Sequence, residues 1–184
     1  MNEFNVWNFR QLDSVTRRDA ISLFSKLMKY PDKVFQAAMT SDVHRIFVLT
    51  RFDADADRHV PVAAMGFSNN AIFLPHLNSI SSNPAESKKA RGQLKRPPSV
   101  ELVLHLRDAL EPNRRNSIMT DAHPDGQKLA RVMTRYGVTH QLLLDEFDSE
   151  TSTYSKDQSR QYRIDLSKCD SPCRAHAMWK EYRG

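Results

Sequence analysis

The order of apolar and polar positions changes period most sharply between Ser117 and Phe147. Ile118 and Met119 sit in a short apolar run over residues 117–122, which predicts a strand. Pro124 suits a first helical position, where its missing N–H would have no partner anyway. Leu129, Ala130, Val132, Met133 and Tyr136 then recur at helical spacing. Gly137 marks the stop, because glycine takes a left-handed conformation past a helix end without a Cβ clash. A second apolar run over residues 140–147 predicts the next strand.

The pattern upstream is a succession of short elements. Phe4, Val6, Trp7 and Phe9 predict a first strand over 4–12. Thr16 and Asp19 have the spacing of a capping box, and Ala20, Ile21, Phe24, Leu27 and Met28 make one face of the helix behind it. Pro31 is expected to end that helix, with a short second helix carried by Val34, Phe35, Ala38 and Met39. Strands are predicted over 45–52, 59–67 and 71–77, close enough in sequence for an antiparallel meander. The aspartates at 53, 55 and 57 alternate as calcium ligands do. An EF-hand loop, however, needs Gly at its sixth position and Glu at its twelfth, where this chain has Arg58 and Ala64. A solvated hairpin turn is the expectation.

Residues 78–98 break the pattern: Ser, Asn and Pro first, then a basic run of Lys88, Lys89, Arg91, Lys95 and Arg96 with Gly92 inside it. A helix follows, with Ser99 as its expected cap and Val100, Val103, Leu104, Leu106 and Leu110 apolar over more than one face. Beyond residue 147 come a polar loop over 148–159 and a final alternating strand over 161–166. Helices mixed with antiparallel strands in this order predict an α+β domain over 1–166, with residues 167–184 as a C-terminal tail.

Composition narrows the class without choosing a function. The 184 residues are 40% hydrophobic and 27% charged, which suits one globular domain able to bury a core without disulfides. The formal net charge of +5 is compatible with an anionic partner, whether nucleic acid, a nucleotide-like cofactor or an acidic protein. No apolar run approaches a membrane span, no signal pattern opens the chain, and two cysteines are too few for a disulfide scaffold, so a cytoplasmic protein is expected. Cys169, Cys173 and His176 supply three ligands where structural zinc takes four, so solvated free cysteines and no metal are expected. Nucleic acid is a weaker reading of the basic run, which no aromatic residue interleaves. Trp179 and Tyr182, three apart in the tail, suggest a contact for a protein partner.

The order of elements from about Asn5 to Leu166, and most closely 117–147, resembles the GCN5-related N-acetyltransferase (GNAT) superfamily. The resemblance implies a mixed, mostly antiparallel sheet flanked by helices. It also implies that the strands predicted over 71–77 and 117–122 are parallel neighbours that splay to hold acetyl-CoA. The family's phosphate loop, Gln/Arg-x-x-Gly-x-Gly/Ala, is matched best by residues 88–94, which makes Lys88, Lys89, Arg91 and Gly92 the implied cofactor-binding residues. The second glycine of that pattern is absent, and Pro97-Pro98 stand before the following helix. Met133 occupies the place where many members carry a proton-donating tyrosine; Tyr136 is nearby, but adjacent helix positions face about 100° apart. The implied activity is acyl-CoA-dependent N-acylation of an amine. His76 and His123 are the implied candidates for its base, with Asp121 able to orient an imidazole. The alternative is a degenerate, catalytically inactive member serving in an assembly, as in bacteriophage virions.

Overall fold

The computed structural model describes residues 3–26, 31–94, 96–121, 124–143 and 161–169. The first strand, β1 (Phe4–Asn8), is shorter than its apolar pattern suggests. Asn8 ends it: its Oδ1 accepts the Arg10 N–H and its own N–H donates to Gln11 Oε1, which folds Phe9–Gln11 into a turn of 3-10 helix. Helix α1 (Ser14–Ser25) is capped by Asp13, not by Thr16. The Asp13 carboxylate accepts the N–H groups of Val15 and Thr16 at 2.9 Å each, and Thr16 lies buried inside the first turn. Pro31 begins helix α2 (Pro31–Thr40), where it costs no hydrogen bond.

Strands β2 (His44–Asp53) and β3 (Arg58–Ser68) form a long hairpin. The aspartates at its tip serve the turn: Asp53 Oδ1 accepts the amides of Asp55 and Ala56, its Oδ2 pairs with Arg51, and Asp57 takes a positive φ of 48°. The next strand departs from the sequence reading. Residues 69–75 are a loop, and β4 runs over His76–Ser82, so His76 opens the strand it was expected to close. A Pro84–Ala90 helix, α3, follows where a loop was expected. Asn83 caps it through the amides of Ala85 and Glu86, with Pro84 in the first turn. Helix α4 (Pro98–Ala109) has Pro97, not Ser99, at its cap.

The strand–helix–strand unit forms as its pattern predicts: β5 (Ile118–Asp121), α5 (Pro124–Arg135), Gly137 at φ +79° and β6 (Thr139–Leu143). The last strand is β7 (Gln161–Asp165). Among the described residues the sheet has seven strands in the order β1-β2-β3-β4-β5-β7-β6. Every pairing is antiparallel except β4 with β5.

The architecture is therefore α+β, with helices on both faces of a mixed, mostly antiparallel sheet. Alternation along β2 divides the core. Ile46 and Val48 face α1 and α2, packing with Phe9, Phe24, Phe35 and Ala38. Phe47 and Leu49 face the other way, with Met65, Leu102, Leu106, Met133 and Ile164. This second cluster continues past Leu166 to Cys169. Cys169 is not a solvated thiol: it is buried, with Sγ 3.9 Å from the Gly137 carbonyl and 3.8 Å from that of Asp165. Cys173, His176 and the aromatic residues of the tail lie outside the described residues. No described helix is long and apolar enough to cross a membrane.

Candidate active site

The seam between β4 and β5 is short. His76 pairs with Met119 and Leu77 with Thr120, and the parallel register ends there. From Asn78 to Ser82 the ladder of β4 is with β3 alone among the described residues. Among the described residues β4 and β5 are parallel neighbours, as the resemblance implies, and share no pair beyond these two. An open strand edge presents N–H and C=O groups to any extended ligand carrying amides.

The open end of β4 leads into a cleft of about 430 Å³ lined by Ser82, Arg91, Gly92, Arg96, Ser99 and Tyr136, among others. Its floor is the reversal after α3. The amides of Gln93 and Leu94 both bond the Ala90 carbonyl at 3.1 Å, and the chain turns through Gly92 at φ +87°. A Cβ at Gly92 would meet nothing within 4 Å, so the turn needs glycine for its backbone conformation and not for space. The amides of Arg91, Gln93 and Leu94 are all bonded within the turn.

Of the four residues the phosphate-loop pattern singles out, Arg91 and Gly92 line this cleft and Lys88 and Lys89 do not. Both lysines are in the last turn of α3. Lys89 Nζ donates to Glu86 Oε1 at 2.8 Å, and Arg51 Nε donates to Glu86 Oε2 at 2.9 Å. Burial pushes the Glu86 carboxyl up, but the hydrogen bonds from Lys89 and Arg51 outweigh it and hold the group below its ordinary 4.5. Arg51 thus clamps α3 to β2 through Glu86, and Lys89, on α3 itself, steadies the same carboxylate. Arg96 lines the cleft while pairing with the buried Glu101 at 3.5 Å.

The start of α4 is a poor nest of amides. Pro98 has no N–H, and those of Val100 and Glu101 bond the Pro97 carbonyl at 2.9 and 3.1 Å. Attraction for an anion here rests on the arginines more than on a helix N-terminus. Tyr136 is the residue that sequence reasoning set aside. Facing angles counted from Met133 assume a continuing helix, but α5 ends at Arg135, and Tyr136 belongs to the reversal before Gly137. Met133 is fully buried while Tyr136 forms part of the cleft wall.

His76 sits at the closed end of the seam, six residues from Ser82, or about 20 Å along a strand. Its Nδ1 is 2.8 Å from Asn78 Oδ1, and Asn78 Nδ2 donates to Ser68 Oγ. The direction of the His76–Asn78 contact is set by the imidazole tautomer, and Nδ1–H donating to Asn78 Oδ1 is the arrangement that leaves Nε2 as an acceptor. His76 and the arginines of the cleft therefore mark opposite ends of β4. His123 and the side chain of Asp121 lie outside the described residues. Among the described residues no three His, Cys, Asp or Glu side chains are grouped to hold a metal.

No family model matches the sequence. No curated protein matches it either. Solved structures do match the fold. An N-acetyltransferase from Staphylococcus aureus superimposes with a TM-score of 0.52 at 7% identity, covering 89% of this chain and 97% of that one. A putative acyl-CoA N-acyltransferase from Klebsiella pneumoniae gives 0.51 at 10% identity, over 88% and 96%. A GNAT-family acetyltransferase from Staphylococcus aureus gives 0.50 at 10% identity, over 89% and 99%. At these identities the likeness is one of fold, and it agrees with the element order and the parallel β4–β5 pair: this chain has a GNAT-like fold.

Proposed function

We propose that the protein is an acyl-CoA-dependent N-acyltransferase. One observation carries the reading: the parallel β4–β5 seam has two register pairs among the described residues, and β4 runs on from them to a cleft that holds Arg91, Gly92 and Arg96. The residues present suit the co-substrate. Arg91 offers charge to its phosphates, with Arg96 beside it paired to Glu101, Gly92 lets the main chain approach, and the β4 edge from Asn78 to Ser82 offers ladder groups to its amide-bearing arm. Matches described as acyl-CoA N-acyltransferase and N-acetyltransferase support the same reading.

In the reaction the acceptor amine attacks the thioester carbonyl. A C–N bond forms, the C–S bond breaks, the amine's proton leaves to a base and the thiolate takes a proton. His76 is the base in this reading, with Nε2 as the accepting atom and Asn78 holding the tautomer. His123 is a second candidate for proton transfer. Acylation of a panel of polyamines, peptides and aminoglycosides, followed by thiol release, tests the assignment. His76→Ala should lower turnover by about 10²-fold or more with little change in cofactor affinity, because a base acts on the amine. Unchanged turnover in that variant would remove His76 from the mechanism.

A second reading has its own support. The Pro97-Pro98 start of α4 deprives the cleft of amide donors, and Lys89 is engaged by Glu86. These features suit a chain that keeps the fold without the catalysis and acts through a partner, with the C-terminal tail as its contact, as in a bacteriophage virion. Acetyl-CoA binding separates the two readings.

A further inference from the structure

Alternation along β4, β5 and β7 sorts their side chains onto two faces of the sheet. Leu77, Ile118 and Ile164 point into the buried cluster with Leu102, Leu106 and Met133. Successive side chains of a strand point to opposite faces, so His76, Met119 and Arg163 point the other way. This is the face that α1 and α2 cover over β2 and β3. The register sets these residues side by side: His76 is opposite Met119, Met119 opposite Arg163, and Arg163 opposite Gln141. The four form one row across β4, β5, β7 and β6. With neighbouring strands about 5 Å apart, the backbones of His76 and Arg163 are about 10 Å from each other.

At its Arg163 end the row enters a pocket of about 350 Å³, separate from the cleft at Arg91. Asn116, Ser117, Thr139, Gln141, Arg163 and Asp165 line it. Gln141 Oε1 accepts from Arg163 Nη2 at 2.7 Å, which orients an exposed guanidinium. That bond uses one of five N–H donors, and two others of such a fork match the two oxygens of a carboxylate. Asp165 is engaged locally: its Oδ1 accepts the Ser167 amide and hydroxyl. Its charge still offsets the arginine's, so the pocket suits a ligand with one negative charge better than a phosphate with nearly two.

We propose that Arg163 binds a carboxylate of the acyl acceptor, which makes the acceptor an amino acid or short peptide with its amine presented to His76. The inference rests on the acyltransferase reading. Met119, between the two ends of the row, gives the acceptor's carbon chain an apolar neighbour. A polyamine or an aminoglycoside brings only positive charge to this row and meets Arg163 as a like charge.

Two measurements on the full chain test it. The first needs no turnover: calorimetry with N-acetyl amino acids and N-acetyl dipeptides, the products of such a transfer, each as the free acid and as the C-terminal amide. The wild type should bind the acids about tenfold or more tighter than the amides. Arg163→Gln should bring acid and amide to one level, and Arg163→Lys, which keeps the charge without the fork, should fall between. The thermal midpoint should hold in both variants, because Arg163 is exposed. The second is acyl transfer from acetyl-CoA to the matching unacetylated acids and amides. Arg163→Gln should raise KM for the acids about tenfold or more with little change in kcat. Equal binding of acids and amides by the wild type, or an acid preference that survives Arg163→Gln, overturns the proposal. Faster transfer to spermidine or to phosphoethanolamine than to every carboxylate-bearing amine also overturns it, and the acyltransferase reading then stands without it. Failure of that reading shows separately, as no uptake of acetyl-CoA, and it takes the acceptor assignment with it even where Arg163 binds the N-acetyl acids.

Discussion

Two seams of the same sheet are built very differently. Strands β2 and β3 pair over ten register positions with apolar side chains buried on both faces, while β4 and β5 pair over two among the described residues. The first seam carries the stability of the domain. The second gives up ladder bonds and leaves main-chain groups of β4 available, bounded at one end by His76 and at the other by an arginine-lined cleft. Fold and site thus rest on separate parts of the sheet, and substitutions should separate them as well.

The largest effect is expected in the closely paired half. Phe24 is fully buried between α1 and the β2–β3 hairpin. Phe24→Ala should cost about 3–5 kcal/mol of unfolding free energy, by loss of burial and a residual cavity. Denaturant titration measures it, and acetyl-CoA affinity of the protein that remains folded should be unchanged. A loss of affinity in the folded fraction would show that the two regions are coupled.

The next effect concerns the clamp that ties α3, and with it Arg91, to β2. Glu86→Gln leaves Arg51 and Lys89 without their shared carboxylate and should cost about 3 kcal/mol. The pH dependence follows from the lowered pKa of Glu86. A carboxyl whose pKa is depressed by folding stabilises above its unfolded value, and that contribution is lost as pH falls through the folded value. Wild-type stability should therefore decline on acidification below about pH 4.5, and Glu86→Gln should lack that part of the decline. Parallel acid limbs in the two proteins would remove the clamp from the account.

The smallest effect on stability is expected at Gly92. Its φ of +87° is unfavourable for any residue with a Cβ, although a Cβ there would touch nothing. Gly92→Ala should cost about 1 kcal/mol in unfolding free energy, from backbone strain alone. Its effect on cofactor affinity should be larger than its effect on stability, because the turn positions the cleft floor. The reverse ranking would make Gly92 a purely structural residue.

Much of this was legible in the sequence where the signals are local. Pro124, the apolar spacing through Met133 and the glycine at 137 specify a helix and its stop without help from the rest of the chain. The region from 69 to 97 was not legible in the same way. Ala71 to Leu74 has the apolar content of a strand but is loop, whereas the real strand, His76–Ser82, is mostly polar. That strand is held by its ladder to β3, including a register shift between Gly66 and Phe67, and long-range pairing leaves little trace in side-chain pattern.

Helix α3 did leave a trace. Asn83-Pro84-Ala85-Glu86 combines a cap residue, a proline in the first turn and an acidic residue in that turn. The basic residues that follow drew attention away from it. Of the residues named from the phosphate-loop pattern, Arg91 and Gly92 line the cleft. The placing of Tyr136 on the cleft wall depended on where α5 ends.

The central claim is that the cleft beside Arg91 binds the phosphates of a CoA thioester. Isothermal calorimetry of acetyl-CoA against the wild type and Arg91→Ala, each at low and high salt, tests it most directly. The account predicts saturable binding to the wild type and a loss of about 1.5–3 kcal/mol in the variant, tenfold or more in affinity. That difference should shrink at high salt, where screening already weakens the wild-type contact. A folded wild type that shows neither heat nor competition at millimolar acetyl-CoA would contradict the claim and leave the non-catalytic reading in its place.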